Sequence, residues 1–189
     1  MNDSASCPQI LRFPKGGKPT IAPNAWQVWV THEEGGLPVE QKVLVPFAWW
    51  LEHHHESDVI AKVNKGQISV WFAADDDILK HADVIEAGKA VWPLVAAHFP
   101  IFRDGRSFST AALLRDRFQW TGEIRMIGDV LIDQLLQGAR VGFDSFALRP
   151  DQKIDVALKQ FDLFSVTTQN SWRGKRSLLV ANPVSLHGK

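Results

Sequence analysis

Two arginines, an aspartate and a glycine interrupt an apolar stretch in the middle of the chain, where residues 99–108 read FPIFRDGRSF. Arg103 and Arg106 carry guanidinium groups, which bind oxyanions such as phosphate, sulfate or sulfite through paired hydrogen bonds. Gly105 lets the backbone approach a ligand closely or adopt positive φ. Ser107 can be the N-cap of a helix whose free amides add to an anion site. The segment therefore predicts either an oxyanion site or an ordinary charged turn after a strand.

Asp129 and Arg149 follow two later predicted strands. Because ligands of parallel sheets gather beyond the carboxyl ends of the strands, both are expected to join the charged residues of the RDGR segment at one rim. Two carboxylates at one rim can have different pKa values and act as acid and base, so Asp104 and Asp129 are the candidate catalytic pair. The alternative is that Asp129 caps a helix and Asp104 pairs with a neighbouring arginine. Asp133 and Gln134, one turn further on, are expected to contact solvent or an interface.

A second polar cluster, LEHHHE at 51–56, contains three consecutive histidines. Successive residues of a helix point about 100° apart, so at most two of His53, His54 and His55 can share one metal ion. The HExxH spacing of helical zinc sites is missing as well. The DDD run at 75–77 is typical of a helix start that complements the helix dipole. We therefore predict no metal site.

Composition and missing motifs narrow the function classes. Lys+Arg and Asp+Glu are both 21, a formal net charge of zero, so binding to nucleic acid is not expected. Cys7 is the single cysteine, which excludes disulfides, cysteine-ligated iron–sulfur clusters and CxxC pairs within one chain. There is no GxxxxGK[ST] loop, GxGxxG turn or GxSxG elbow, so no motif identifies a cofactor. Without a signal-like start or an apolar run of about 18–20 residues, a cytoplasmic protein without membrane contact is expected.

The elements that must position these residues alternate along the chain. Residues 1–45 are rich in Pro and Gly and predict an irregular arm with short edge strands, one of them at 27–31. Residues 46–169 predict an α/β core, and residues 170–189 show no strong pattern and are expected to be partly disordered. Strands are predicted at 43–45, 67–73, 90–99, 122–128, 143–149 and 164–169, and helices at 46–56, 75–88, 107–119, 129–139 and 151–161.

This alternation implies βαβ crossovers within a single domain. We predict repeated βα units that form a mostly parallel sheet, either open or curled like part of a barrel. Gly88 is expected to end the second helix, as glycine often does. Eight tryptophans and eleven phenylalanines supply the core and, in part, the interface of a homo-oligomer.

Within residues 99–149 stand the motifs F-P-x-F-x-D-G-R, L-L-R, G-E-I-R, G-D-V-L-x-D-Q and G-F-D-x-F-x-L-R, with VPFAWWL and SVWFAADDD as weaker upstream members. In this combination the chain resembles the bacterial domain-of-unknown-function family number nine-three-four, often described as an oxidoreductase involved in sulfite reduction. The resemblance implies an auxiliary role beside sulfite reductase, whose genes typically accompany those of the family, but it brings no established catalytic residues. His98 stands where relatives carry an acidic residue, and Val141 where they often carry cysteine.

Three functions are therefore considered. In the first, the protein is an auxiliary factor of sulfite reduction that binds a sulfur oxyanion or a phosphorylated metabolite at Arg103, Arg106 and Arg149. In the second, it is a noncatalytic partner that docks on sulfite reductase or another sulfur-assimilation enzyme through an aromatic surface. In the third, it is a small-molecule enzyme with Asp104 and Asp129 as acid–base groups. The resemblance favours the first.

Overall fold

The computed structural model describes residues 8–29, 37, 41–164 and 169–174. Within these residues the strands are β1 (Gln9–Arg12), β2 (Thr20–Pro23), β3 (Trp26–Val28), β4 (Lys42–Pro46), β5 (Ile68–Phe72), β6 (Leu94–Phe99), β7 (Glu123–Gly128) and β8 (Ser145–Phe146). They form one sheet in the order β2-β1-β8-β7-β6-β5-β4-β3. Strands β3 to β8 are parallel neighbours, and β1 is antiparallel to both β8 and β2. The predicted α/β class, with short edge strands from the N-terminal arm, is confirmed.

Helices connect the parallel strands. In the part of the chain that the structure describes, they are α1 (Phe47–His53), α2 (Ser57–Asn64), α3 (Ala82–Val91), α4 (Arg106–Asp116), α5 (Leu135–Val141) and α6 (Ile154–Leu158), with 3₁₀ helices at Ile78–His81, Ile132–Gln134 and Lys159–Asp162. Crossovers between neighbouring parallel strands are right-handed, so their helices lie on the same face of the sheet. No helix in these described ranges is long and apolar enough to cross a membrane.

The sheet is curled because its two edge strands follow each other in the chain. Strand β2 ends at Pro23 and β3 begins at Trp26, so Asn24 and Ala25 alone separate them. Three Cα–Cα steps of about 3.8 Å span at most about 11 Å. In a flat sheet, seven gaps of about 4.8 Å would place the same edges about 34 Å apart. Of the two predicted forms, the partial barrel is therefore the one observed.

Strand residues point alternately to the two faces of the sheet, and both faces are buried. The face that packs against the helices carries the larger core, which includes Val70, Phe72 and Phe99. The inner face carries a smaller apolar cluster, made by Trp26, Leu44, Trp71, Leu94, Ala96 and Ile127. Burial on both faces explains why these strands are nearly continuous apolar runs in the sequence.

Two predicted helix boundaries are wrong. Gly88 does not end α3, which continues to Val91. A Cβ at Gly88 would lie 2.2 Å from the Trp92 ring, so close packing explains the glycine at this position. The glycine is thus a packing site, and β6 begins only after Pro93. The helix predicted to reach residue 56 ends at His53, and a further helix, α2, follows it.

Strand β8 is shorter than predicted, although the amides of Asp144 and Ala147 extend its bonding to β7 at 2.9 Å each. Several expectations lie outside the described residues: most of the strand predicted at 164–169, the end of the strand at 27–31, Cys7 and residues 175–189.

Candidate functional site

The predicted site residues lie together at the carboxyl ends of the strands, here called the C-terminal rim. Arg103, Asp104 and Gly105 belong to the loop after β6, and Arg106 and Ser107 begin α4. Asp129 directly follows β7, and Arg149 lies just after β8. Because the strands are parallel, their ends bring all seven residues to one rim.

Arg149 is held between two carboxylates. Its Nη1 donates to Asp129 Oδ1 at 2.7 Å, and its Nε and Nη2 donate to the two oxygens of Asp151 at 2.6 and 2.8 Å. These hydrogen bonds raise the pKa of Arg149, and the bond from Arg149 lowers the pKa of Asp151 to about 2. The positive charge of the Arg149 guanidinium is therefore balanced by two carboxylates of the protein.

Asp129 does not cap a helix, since Leu131 occupies the position before the 3₁₀ helix that follows. Its Oδ2 accepts the amide of Phe102 at 2.7 Å, in the loop after β6. Gly128 makes this possible: its φ of +93° turns the chain so that the Asp129 amide donates to Phe99 O at 2.8 Å. Asp129 thus ties the loop after β7 to the loop after β6.

Arg106 pairs with Asp104. Its Nη2 lies 2.7 Å from Asp104 Oδ2, and its Nε donates to both oxygens at 3.0 and 3.2 Å. Hydrogen bonds from this side chain and from the Arg106 amide lower the pKa of Asp104. Ser107 is not the predicted N-cap, because α4 begins at Arg106 and the buried Ser107 hydroxyl donates instead to His98 O at 2.6 Å.

The tip of the loop after β6 presents two apolar side chains and an arginine to solvent. Ile101 and Phe102 are each 48% exposed, and Arg103 is exposed without a charged partner among the described residues. We call Ile101, Phe102 and Arg103 the rim patch. The prediction of a solvent or interface contact for Gln134 is wrong: this buried side chain donates from Nε2 to Phe102 O at 2.6 Å. The patch therefore stands on a fixed backbone.

The C-terminal rim is acidic. The four loops after β5 to β8, residues 73–77, 100–106, 129–133 and 147–153, contain seven aspartates and four arginines or lysines, a formal net charge of −3. The DDD run contributes three of these aspartates and precedes the 3₁₀ helix Ile78–His81 rather than lying in its first turn. Asp76 accepts the Ala73 amide at 2.7 Å, and burial raises its pKa.

The histidine cluster lies at the end of α1. His53 Nδ1 is 2.9 Å from Trp49 O, with its ring stacked on the Trp49 indole at 4.3 Å, and His54 Nδ1 is 3.1 Å from Trp50 O. Each ring is therefore engaged with its own helix. The ranges that the structure describes contain no group of three or more side chains placed to hold a metal ion.

A polar cleft that the sequence reasoning missed lies at the opposite end of the strands. It has a volume of about 550 Å³, and we call it the basal cleft. It is lined by Arg12, Pro14, Lys15, Arg115, Gln119, Trp120, Thr121, Glu123, Asp144 and Trp172.

Arg115 is the central buried charge beside this cleft. Its five N–H groups are all used: Nε and Nη2 donate to Gly142 O, Nη1 donates to Trp120 O and Gly122 O, and Nη2 also donates to Asp144 Oδ2. Burial lowers the pKa of Arg115 and raises that of Asp144, against their mutual attraction. The sequence signal was available, since Arg115 lies one helical turn after the apolar residue Ala111, which is buried in α4.

A family model described as "Bacterial protein of unknown function (DUF934)" matches residues 69–179, which is more than half of the chain. None of the curated proteins or solved structures compared with the chain matches it.

Proposed function

We propose that this chain, which belongs to the DUF934 family of bacterial proteins of unknown function, is an auxiliary protein of sulfite reduction that acts by binding a protein partner. The rim patch is the observation that supports binding. Sulfite reductase as the partner, or another sulfur-assimilation enzyme, is what the resemblance of the sequence implies.

The rim patch has the composition and the stiffness of a binding surface. Aromatic and arginine side chains are enriched among the residues that dominate binding energy, and Phe102 and Arg103 are adjacent. The Phe102 amide is bound by Asp129 and its carbonyl by Gln134, while the Asp104 amide closes the loop on Ile101 O at 2.9 Å. A loop already held in place loses little entropy when a partner binds.

The charges of the rim favour a protein partner over a free oxyanion. A monovalent anion at roughly 8 Å from a net charge of −3 is disfavoured by about 1.5 kcal/mol in water before salt screening. The charges of Arg106 and Arg149 are also already balanced by Asp104 and Asp129, so they add little attraction for a free anion. The same pairing gives no support to Asp104 and Asp129 as an acid–base pair. An apolar pocket bordered by basic side chains is the matching surface on a partner.

The test is a binding titration of the full chain with purified sulfite reductase. We expect binding that Phe102→Ser weakens: about half of an aromatic side chain, ~100 Å², corresponds to about 2.5 kcal/mol, or up to roughly 70-fold in Kd. Phe164→Ser is the matched control, because Phe164 is 66% exposed and lies away from the rim patch in the chain. It should leave Kd unchanged.

A second variant tests whether the loop must be held in place. Gln134→Leu removes the donor to Phe102 O without touching the exposed side chains of the patch, and it should raise Kd with the fold intact by circular dichroism. Failure to bind the reductase would refute this partner. Binding that survives Phe102→Ser unchanged would refute the rim patch as the contact surface.

A further inference from the structure

We infer that the basal cleft binds a small anion that carries a planar ring, of the size of a nucleoside monophosphate. This inference concerns the end of the sheet opposite the rim patch, and it goes beyond the proposed function. It is supported by the size of the cleft, its charges and its aromatic walls.

The cleft has the dimensions and lining of a small-molecule site. Its volume of about 550 Å³ falls within the range of about 300–1,000 Å³ that is usual for ligand pockets. Pro14, Trp120 and Trp172 supply apolar parts of the lining, and Gln119 and Thr121 add polar groups.

The electrostatic balance of the cleft favours an anion. Arg12, Lys15 and Arg115 line it against two carboxylates, Glu123 and Asp144. The negative charges of both carboxylates are already balanced by arginine side chains. Glu123 Oε1 accepts Arg125 Nη2 at 2.7 Å and Nε at 3.1 Å, and Asp144 binds Arg115.

A further cation lies behind Asp144 and leaves the cleft with excess positive charge. The half-buried Arg173 lies close enough to Asp144 to lower the pKa of that carboxyl through its charge. The ammonium group of Lys15 has no carboxylate partner in the described part of the chain and is exposed to the cleft's solvent. Lys15 is therefore the cation most available to a ligand.

Of the three cations that line the cleft, one positions the Trp172 ring and the other two are accessible to a ligand. Arg115 uses all five of its N–H donors within the protein, so it cannot bind a ligand directly. Its guanidinium carbon lies 4.1 Å from the centre of the Trp172 ring and holds that ring in place. Lys15 Nζ lies 4.7 Å from the same centre. Arg12 is half-exposed, with one contact to Glu123 Oε2 at 3.2 Å.

An indole face next to accessible cations recognises a ligand that is both flat and negatively charged. The ring of the ligand stacks on Trp172 in place of the Lys15 ammonium, which moves off the indole and meets the anionic group together with Arg12. The Trp172 backbone is anchored for this purpose, because its amide donates to Arg140 O at 2.9 Å. Neither a neutral ring nor a simple anion uses both halves of this arrangement.

The test is calorimetric titration of the full chain with four probes: adenosine monophosphate, naphthalene-1-sulfonate, adenosine and inorganic phosphate. We expect at least one of the two planar anions to bind at least tenfold more tightly than adenosine and phosphate, and more weakly as ionic strength rises. Lys15→Gln should raise the Kd of that anion about fivefold, the loss of one close charge contact in water. Lys18→Gln, an exposed lysine that does not line the cleft, is the matched control.

The inference is overturned if neither planar anion binds, if adenosine or phosphate binds equally well, or if Lys15→Gln and Lys18→Gln have the same effect. A second readout separates this site from the rim patch. Phe102→Ser should leave the Kd of the planar anion unchanged, and Lys15→Gln should leave reductase binding unchanged. Failure of one proposal is thus distinguishable from failure of the other.

Discussion

Replacement of Arg115 with methionine should destabilise the fold by about 4 kcal/mol. The Arg115 side chain is 1% exposed, and methionine fills much of its space without donating a hydrogen bond. Removal of one partner from a buried ion pair costs about 3–5 kcal/mol, because the other charge, here the largely shielded Asp144, loses its ion-pair partner. The carbonyls of Trp120, Gly122 and Gly142 also lose their donor, although water from the adjacent basal cleft offsets part of that loss.

The assay is equilibrium unfolding in urea, followed by tryptophan fluorescence, together with a thermal scan. For a domain of this size, 4 kcal/mol corresponds to a Tm lowered by about 8–16 °C. Arg115→Lys keeps the charge but has three donors in place of five, so its loss should be intermediate. Arg117→Met, two residues further along and exposed, should stay within about 0.5 kcal/mol of the parent protein.

A double-mutant cycle with Asp144→Asn completes the measurement. If the ion pair carries the effect, the double variant should be less destabilised than the sum of the two single variants, since no unpaired charge remains. An Arg115→Met protein within about 1 kcal/mol of the parent would refute the reasoning, because the five hydrogen bonds would then contribute almost nothing to stability.

Two further predictions concern Gly128 and Glu123. Gly128→Ala should lower the free energy of unfolding by about 3 kcal/mol, because φ is +93° and the new Cβ would lie 2.4 Å from Phe99 O. Gly16→Ala, at φ +77° with nothing within 4 Å of the new Cβ, should lower it by only about 1 kcal/mol. Equal decreases in Tm would contradict the packing argument. Burial raises the pKa of Glu123, but Arg125, Ser145 and Arg12 together hold it below 4.5, so its ionised form stabilises the fold above about pH 4.5 and that stability is lost as the pH falls below this value. The urea midpoint should therefore decrease less between pH 7 and pH 3.5 for Glu123→Gln than for the parent protein. An equal or larger decrease would contradict this assignment.

The sequence predicted those elements whose burial alone determines their pattern. Strands β5 and β7 are found within a residue or two of the expected ranges, because apolar side chains on both faces give short continuous runs. Helix boundaries were harder to predict, since they depend on contacts between distant residues. Gly88 was expected to end α3, but the Trp92 ring needs its missing side chain. Ser107 was expected to cap α4, but it binds the carbonyl of His98 on β6.

Convergence of the charged residues at one rim was predictable, because parallel strands place their ends together. Their pairing was not. Asp129 binds Arg149 and the Phe102 amide, residues 20 and 27 positions away, through the conformations of three loops. The basal cleft was beyond sequence reasoning for the same reason: its walls come from four separated segments around residues 12–15, 115–123, 144 and 172. None of these segments carries a motif that identifies a site.

The pairing of β1 with β8, which are far apart in the chain, has a consequence for the order of folding. Leu11 of β1 can pair with Ile21 of β2 soon after synthesis, but its pairing with Phe146 of β8 waits until about 135 further residues have been synthesised, roughly 7–27 seconds at ordinary rates of translation. Strands β4 to β7 pair with neighbours made just before or after them and can assemble earlier. Pairing of β1 with β8 therefore comes late, and until then the edge of β1 that does not face β2 stays accessible to other nascent chains. We therefore expect folding of this sheet to depend on chaperones and to be sensitive to N-terminal fusions, because β1 cannot complete its pairing until β8 has been synthesised.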